Sequence, residues 1–402
     1  MKIHVLTPIY ATTTLQEGVT PVVHYFTREW VKMGHDVRVF YLRAKFPRFF
    51  YWVSRLLQHK LYSRFGFPVF VEYPYKEVYY AEGVPVCKMP LRKIRPHSSY
   101  SSKSISVALN SISKECEENG LPDWFVGHWD NPQLELLCAL KQRFHKPVCL
   151  VLHNNSFDFK RLKHEEAEHM LAQMDVIGFR NKTAQINFES QFGKPRRSFV
   201  AYSGVSDVFL DEGKRIHRTF EKPIRNFVFV GSLIEKKHPK EIITALSQLY
   251  TNNDCNVTFI GDGAEKSQIE KEIIRTGFNG NVHFTGRIPR ESIVEYLKKS
   301  DVFVMVSHPE VFGLVYLEAM ALGIITIGSK NEGIDGIIVD GKNGFLCNAG
   351  DVCDLVLLLN RIKNMPQRTL QSISIEAQRT AQEYSDYSVA KKYINALSTL
   401  SQ

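Results

Sequence analysis

Two glutamates stand eight residues apart in the run HPEVFGLVYLEAMALG: Glu310 and Glu318, in an otherwise apolar stretch that reads as the start of a helix. On one helix that spacing turns the second side chain roughly 80° from the first, at ~100° per residue, so the carboxylates share no ridge and form no metal clip. They suit different tasks. Gly313 opens the helix, which leaves the amides of Phe312, Gly313 and Leu314 as donors at a positive helix end. A phosphate or a sugar hydroxyl fits such an end. Glu310, in the loop, is placed to accept from a polyol beside those amides, and Glu318, a turn or two inside, to accept from a ribose diol. A glutamate on a surface helix is ordinarily a solvated side chain, so these roles need support from elsewhere in the chain.

Three other loops supply it. GSLIEKKHPKEII (231–243) follows a strand and sets Lys236, Lys237 and Lys240 at a helix start. Cations there oppose the helix dipole, so the choice lies between an exposed lysine-rich turn and a clamp for a diphosphate. The turn Gly261-Asp262-Gly263 lets a backbone approach a ligand closely, and is equally a plain turn. GRIP (286–289) brings Arg287 and Ile288 to the same kind of position. Four such loops together say more than any one.

The elements that must hold these loops read as strands 226–231, 256–261, 281–286, 301–307 and 324–329, alternating with helices over 239–250, 264–276 and 290–299. Each strand ends in Gly or Ser before a helix, so the loops converge on the carboxyl edge of a parallel sheet, where open α/β sheets bind ligands. The first half shows the same rhythm: strands 3–7, 36–42, 123–129, 147–152 and 175–179, with helices at 17–34, 101–118, 131–144 and 163–173. The charged run 204–226 breaks the alternation and reads as a linker. The expected domains are therefore 1–210, 225–383 and a terminal helix within 384–402, starting near Ser385 or Asp386 and returning to the first domain.

Bulk properties narrow the class. A chain of 402 residues, 44% hydrophobic and 23% charged, fits two globular domains. It shows neither a signal peptide nor a run long enough to span a membrane, which points to the cytoplasm. Seven scattered cysteines without a CxxC pair suit neither a disulfide framework nor zinc, and read as small buried hydrophobes. The net charge of +9 concentrates in 43–64, RAKFPRFFYWVSRLLQHKLYSR, with six Lys or Arg, no acid and six aromatic residues. That mixture suits an anionic membrane surface, or else a solvated loop whose rings pack on the domain. No recognition fold for nucleic acid accompanies it, so nucleic acid is not an expected partner.

These features resemble the family 4 retaining glycosyltransferases of the GT-B fold, in which two Rossmann-like, doubly wound α/β domains face their parallel sheets across a cleft. The family's E-x7-E signature stands here as Glu310-Val-Phe-Gly-Leu-Val-Tyr-Leu-Glu318 followed by EAMALG, and GHDVRV (34–39), His153 and AYSGVS (201–206) occur in family order. The resemblance implies a nucleoside diphosphate sugar as donor substrate and no cofactor. Glu310 would contact the donor sugar, Glu318 the ribose, Lys237 the diphosphate and the backbone near Ile288 the base, with His153 lining the reaction centre and Gly18 in the loop beneath the diphosphate. The chain departs from the pattern at Gly231-Ser232, where relatives carry Gly-Arg, so that Arg287 or Lys236 would replace a cation, and at Glu17-Gly18, where they carry Gly-Gly. Its NEGIDG, with Glu332, Gly333 and Gly336, is similar to enzymes of bacterial capsule and exopolysaccharide assembly.

A lone histidine after a strand is ordinarily structural; its place in the resembling family makes His153 a candidate hydrogen-bond donor to sugar hydroxyls. His128 and Asp130, in GHWDNP, are expected at the same rim as acceptor-side candidates. The implied reaction is transfer from a nucleoside diphosphate sugar, a UDP-sugar before GDP-mannose, to a hydroxyl of a glycan or lipid-linked acceptor at the inner membrane face. Helix ends and Lys237 would stabilise the leaving diphosphate, since no DxD metal motif is present. A nucleotide-sugar 2-epimerase and a non-catalytic nucleotide-sugar-binding module are the alternatives.

Overall fold

The structure is a computed structural model that describes the chain except residues 12–19, 59, 62–71, 73–74, 97, 160, 221–222, 251–253 and 399–402. Gly18 and the end of the 43–64 segment lie outside the described residues. The chain forms two compact units, one of Met1–Gln58, Pro68–Ser203 and Asp386–Gln402, the other of Gly204–Ser385.

The first unit is built on eight strands: β1 (Lys2–Thr7), β2 (Asp36–Lys45), β3 (Glu77–Ala81), β4 (Val84–Arg92), β5 (Trp124–His128), β6 (Val148–Leu152), β7 (Val176–Phe179) and β8 (Ser198–Val200). Their order is β3-β4-β2-β1-β5-β6-β7-β8. Strands β5 and β6 are buried at every position, as a sheet covered by helices on both faces requires. One strand breaks the parallel pattern, because β3 pairs antiparallel with β4. This hairpin, turning at Glu82-Gly83 with both φ positive, has no counterpart in the sequence reading. It also lengthens β2, whose last residues Arg43–Lys45 pair with β4.

The helix Val22–Lys32 shows why the C-terminus belongs here. Its buried Val23, Phe26, Thr27 and Trp30 fall at helical spacing. The helix Asp386–Ser398 covers that ridge: Trp30 donates its indole N–H to the Ala390 carbonyl at 3.1 Å, Arg28 pairs with Asp386 at 2.9 Å, and Tyr393 stands edge-on to Trp30 at 4.9 Å.

The second unit carries β9 (Asn226–Val230), β10 (Asn256–Ile260), β11 (Asn281–Gly286), β12 (Val302–Val304), β13 (Ile325–Ser329) and β14 (Phe345–Cys347), all parallel, in the order β11-β10-β9-β12-β13-β14. The run read as a linker folds onto this unit instead. Asp207–Arg215 is a helix that buries Phe209, Leu210 and Gly213, and a Cβ on Gly213 would lie 2.0 Å from the Ala321 carbonyl oxygen. Arg218 then donates to the carbonyls of Leu322, Ser300 and Leu297 at 2.6, 2.7 and 3.0 Å. A charged exterior around one apolar face explains the misreading, and the unit begins at Gly204 rather than 225. The seven cysteines are free; Cys353 is exposed, against the expectation of burial.

Trp30 is fully buried between its own sheet and the terminal helix. Trp30→Ala should therefore cost about 3–5 kcal/mol in urea unfolding, the range for deleting a buried indole. A loss below about 1 kcal/mol would mean that the terminal helix does not stabilise the unit through this ring.

Candidate functional site

In the second sheet the order reverses between β9 and β12, and connections leave the two strands in opposite directions. That switch opens a crevice at their carboxyl ends. The loop after β9 carries Lys237 in a short 3-10 turn, Glu235–Lys237, ahead of the helix Pro239–Ser247. The loop after β12 carries Ser307, His308 and Glu310 ahead of the helix Leu314–Ala321. Backbone ties the loops together: the His308 N–H donates to the Lys236 carbonyl at 2.8 Å.

Glu310 is the centre of this crevice. The Lys237 ammonium donates to its Oε2, and the Ser307 hydroxyl donates to the same oxygen at 3.2 Å. Its side chain is only 12% exposed. Burial works to raise the Glu310 carboxyl, but the Lys237 charge and hydrogen bond, the Ser307 hydroxyl and Lys236 outweigh it and hold the group below its ordinary value. Its backbone is fixed from the far side. Glu332, itself buried, accepts the Glu310 N–H with one oxygen and faces His308 Nδ1 at 2.5 Å with the other. Gly333 donates to the Glu310 carbonyl at 3.0 Å, and a Cβ there would lie 2.2 Å from the Val311 carbonyl oxygen. Only glycine permits that approach.

The other expected residues of this unit differ in exposure. Gly313, at φ 71°, is the N-cap of the helix, which has no side-chain cap, and Leu314 begins it; Phe312 is buried beneath. Ser232 is half-buried in the β9 loop, Arg287 is exposed and Ile288 half-buried beyond β11. Glu318 lies in the second turn, buried, and its Oε1 is met by Arg290 from the β11 loop at 2.6 Å. Arg290 in turn lies over the Phe209 ring at 5.9 Å. Gly261 and Gly263 have backbone as a close neighbour. A Cβ on either would meet the carbonyl oxygen of Gly231 or Leu233, at 1.9 and 2.2 Å, so these glycines let the β9 and β10 loops pack backbone to backbone.

The candidates of the first unit lie at the carboxyl ends of β5 and β6. His128, the last residue of β5, and His153, just after β6, meet with Nδ1 and Nε2 3.0 Å apart. Trp129, held at φ 65°, stacks on His153 with centroids 3.7 Å apart. Burial, followed by the nearby Arg180 charge, pushes His128 down to about 3, and the same causes with His128 itself lower His153 well below the ordinary range. Both rings are neutral at neutral pH and one proton lies between them. His128 is fully buried, so contrary to expectation it does not reach the rim; it touches His153 on one side and faces the Tyr393 hydroxyl at 3.5 Å on the other. Asp130, expected at the rim, is held by Arg161, which also pairs with Glu135.

Sequence reasoning did not find Arg290, Ser307, Trp129, Arg180 or Tyr393, and gave Glu332 no role. The one available signal was NEGIDG, where an acid beside a glycine marks a close backbone approach. The others act across 23 residues or more of chain, or are local side chains of common type.

The Lys237–Glu310 pair couples to pH with a definite sign. Since the folded carboxyl lies below 4.5, the pair contributes stability at neutral pH that is lost as pH falls through the folded value. Lys237→Met leaves burial unopposed by that charge, so the carboxyl should move above 4.5 and the slope reverse. The variant should lose stability as pH rises from about 4 to about 7, by about 3–5 kcal/mol relative to the parent at neutral pH, in urea unfolding across that range. Parallel pH profiles for the two proteins would show that the contact is not linked to folding.

Comparison with known proteins agrees with this architecture. Residues 212–380 match the family model described as Glycosyl transferases group 1. N-acetyl-alpha-D-glucosaminyl L-malate synthase of Bacillus anthracis is 30% identical over 153 residues, which are 36% of this chain and 40% of that protein, so less than half of that relative's length is matched. Sucrose-phosphate synthase from Thermosynechococcus elongatus superposes with a TM-score of 0.71 at 15% identity, covering 100% of this chain and 99% of the other. Anabaena Alr3699/HepE in complex with UDP gives 0.69 at 18% identity, covering 99% of this chain and 100% of the other. The chain thus has the GT-B fold, and its residues 212–380 are similar to the Glycosyl transferases group 1.

Proposed function

We propose that the chain is a retaining glycosyltransferase that moves a hexosyl unit from a nucleoside diphosphate sugar, a UDP-sugar before GDP-mannose, to a hydroxyl of a glycan or lipid-linked acceptor in cell-surface polysaccharide synthesis. The observation that carries this reading is the Lys237–Glu310 pair at the switch point of the second sheet, beside an uncapped helix N-terminus. UDP bound to the similarly folded Anabaena protein supports a uridine nucleotide as the leaving group.

The chemistry follows from charge. As the bond to the sugar breaks, negative charge grows on the departing diphosphate, and Lys237, Lys236 and the amide end at Gly313 are the positive groups at the crevice to stabilise it. Lys237 leaves Glu310 for the diphosphate, and the freed carboxylate accepts hydrogen bonds from the sugar hydroxyls. The acceptor hydroxyl attacks from the phosphate side and passes its proton to the leaving phosphate oxygen. Glu318, exchanging Arg290 for a ribose diol, anchors the nucleoside. His153, neutral and held by His128 and Trp129, serves as a sugar-hydroxyl partner.

The segment 43–64 supplies the membrane face. Its helix Arg48–Leu56 buries Tyr51 alone and exposes Phe49, Trp52 and Leu56 by 62%, 60% and 64%, at i, i+3 and i+7. Those rings with flanking cations suit an anionic bilayer surface, and no described helix is long and apolar enough to cross one.

Glu310→Ala should lower turnover with UDP-glucose, UDP-galactose, UDP-N-acetylglucosamine or GDP-mannose, whichever donor is active, about 10²–10³-fold, while UDP affinity stays within a few-fold. Equal loss of both would refute the division of labour, and tight UDP binding without transfer to any acceptor would identify a binding module instead. Flotation with anionic vesicles should be lost when Arg43, Lys45, Arg48 and Arg55 are changed to Ser; unchanged flotation would end the membrane reading.

A further inference from the structure

The first unit holds a cavity of about 690 Å³ that lies wholly within it, at the carboxyl ends of β2 and β4. Lys45, Arg48, Arg92, Lys93 and Lys103 line it, and none of its lining residues is acidic. Phe46, Leu91, Ile94 and Val107 add apolar lining, Leu91 buried and Ile94 and Val107 exposed.

Two placements here work against folding. Lys45 and Arg92 are direct partners in the β2–β4 register, and like charges opposite one another on paired strands repel. Lys103 sits in the first turn of the helix Ser102–Asn119, which has no acid there, so its charge opposes the dipole. Burial, then the Arg161 charge, also hold the Lys93 ammonium below its ordinary value against the opposing pull of Asp130 and Glu135, as it packs over the Tyr100 ring at 4.8 Å. An anion in the cavity reverses all three effects at once. The geometry also selects the kind of anion. Phe46, Pro47 and Arg48 are both cavity wall and the approach to the helix Arg48–Leu56, so the exposed ridge of Phe49, Trp52 and Leu56 starts at the cavity rim.

We propose that this cavity seats the phosphate head of an amphiphile whose apolar chain lies along the Phe49, Trp52 and Leu56 ridge. It adds a specific headgroup site to the lipid-facing reading of the helix and rests on it for the choice of an amphiphile; it does not depend on sugar transfer. Lys45 and Arg48 belong to both readings, so the cavity is tested with a soluble probe and with changes at Arg92 and Lys103, which lie outside the 43–64 segment, and the two readings fail separately.

The test is calorimetric titration of the full chain with dihexanoylphosphatidate below its micelle concentration, and with glycerol 3-phosphate, each in excess UDP to fill a nucleotide site. Phosphatidate should bind at least about tenfold more tightly than glycerol 3-phosphate. Arg92→Ser with Lys103→Ser, both exposed side chains, should weaken both probes about tenfold or more without lowering the unfolding midpoint, since both charges oppose folding. Phe49→Ser with Trp52→Ser should abolish only the advantage of the acyl probe. Equal affinity for the two probes would replace the amphiphile by a soluble phosphate compound and overturn the proposal. Binding that survives the Arg92 and Lys103 changes, or appears only when UDP is omitted, would place the anion elsewhere and overturn it as well.

Discussion

A carboxylate and an ammonium held together out of water at the point where a sheet reverses its winding constrain the rest of the second unit. Each charge alone would carry a desolvation penalty of several kcal/mol, so neither loop is stable in its place without the other. The fold meets that demand with two backbone contacts that no side-chain rotamer can loosen and with one buried carboxylate. The His308 amide bonds the Lys236 carbonyl, the Gly333 amide bonds the Glu310 carbonyl, and the buried Glu332 takes the Glu310 amide. The β9, β12 and β13 loops thereby form one assembly around the Glu310 carboxylate.

Glycines make that assembly possible where a side chain would occupy a neighbour's carbonyl. Gly333 lets the β13 loop close beneath Glu310, and Gly263 lets the β10 loop close on Leu233. Such residues read in a sequence as turns or as ligand contacts, because their type reports close approach without saying what approaches. Here the approaching group is backbone. The contrast with Gly313, which presents an uncapped helix end, is positional and not compositional.

Legibility followed the distance over which each feature is encoded. The alternation of buried strands and amphipathic helices is local, and the two α/β units were readable from it, as was the placement of Glu310 and Lys237 in loops after strands. Their contact spans 73 residues and left no local trace. Arg290 on Glu318, 28 residues apart, was equally invisible. The helix Asp207–Arg215 was hidden because Asp207, Asp211, Glu212, Lys214 and Arg215 surround a face of only Phe209, Leu210 and Gly213. The β3–β4 hairpin did have a signal, the Glu82-Gly83 turn between strand-like runs, obscured by the basic aromatic segment before it.

The two units solve opposite electrostatic problems with the same sheet edge. In the second, charge is gathered and then compensated, so the Glu310 carboxylate is held ionised against the Lys237 ammonium. In the first, the buried Arg180 donates to Ala201 and Ser203 and, with burial, keeps both imidazoles of His128 and His153 uncharged. A neutral imidazole fixed by a stacked indole and a second ring can give or take a hydrogen bond but cannot attract a phosphate. The first unit thus offers a neutral imidazole fixed in direction, whereas the second offers the paired charges of Lys237 and Glu310 fixed in place.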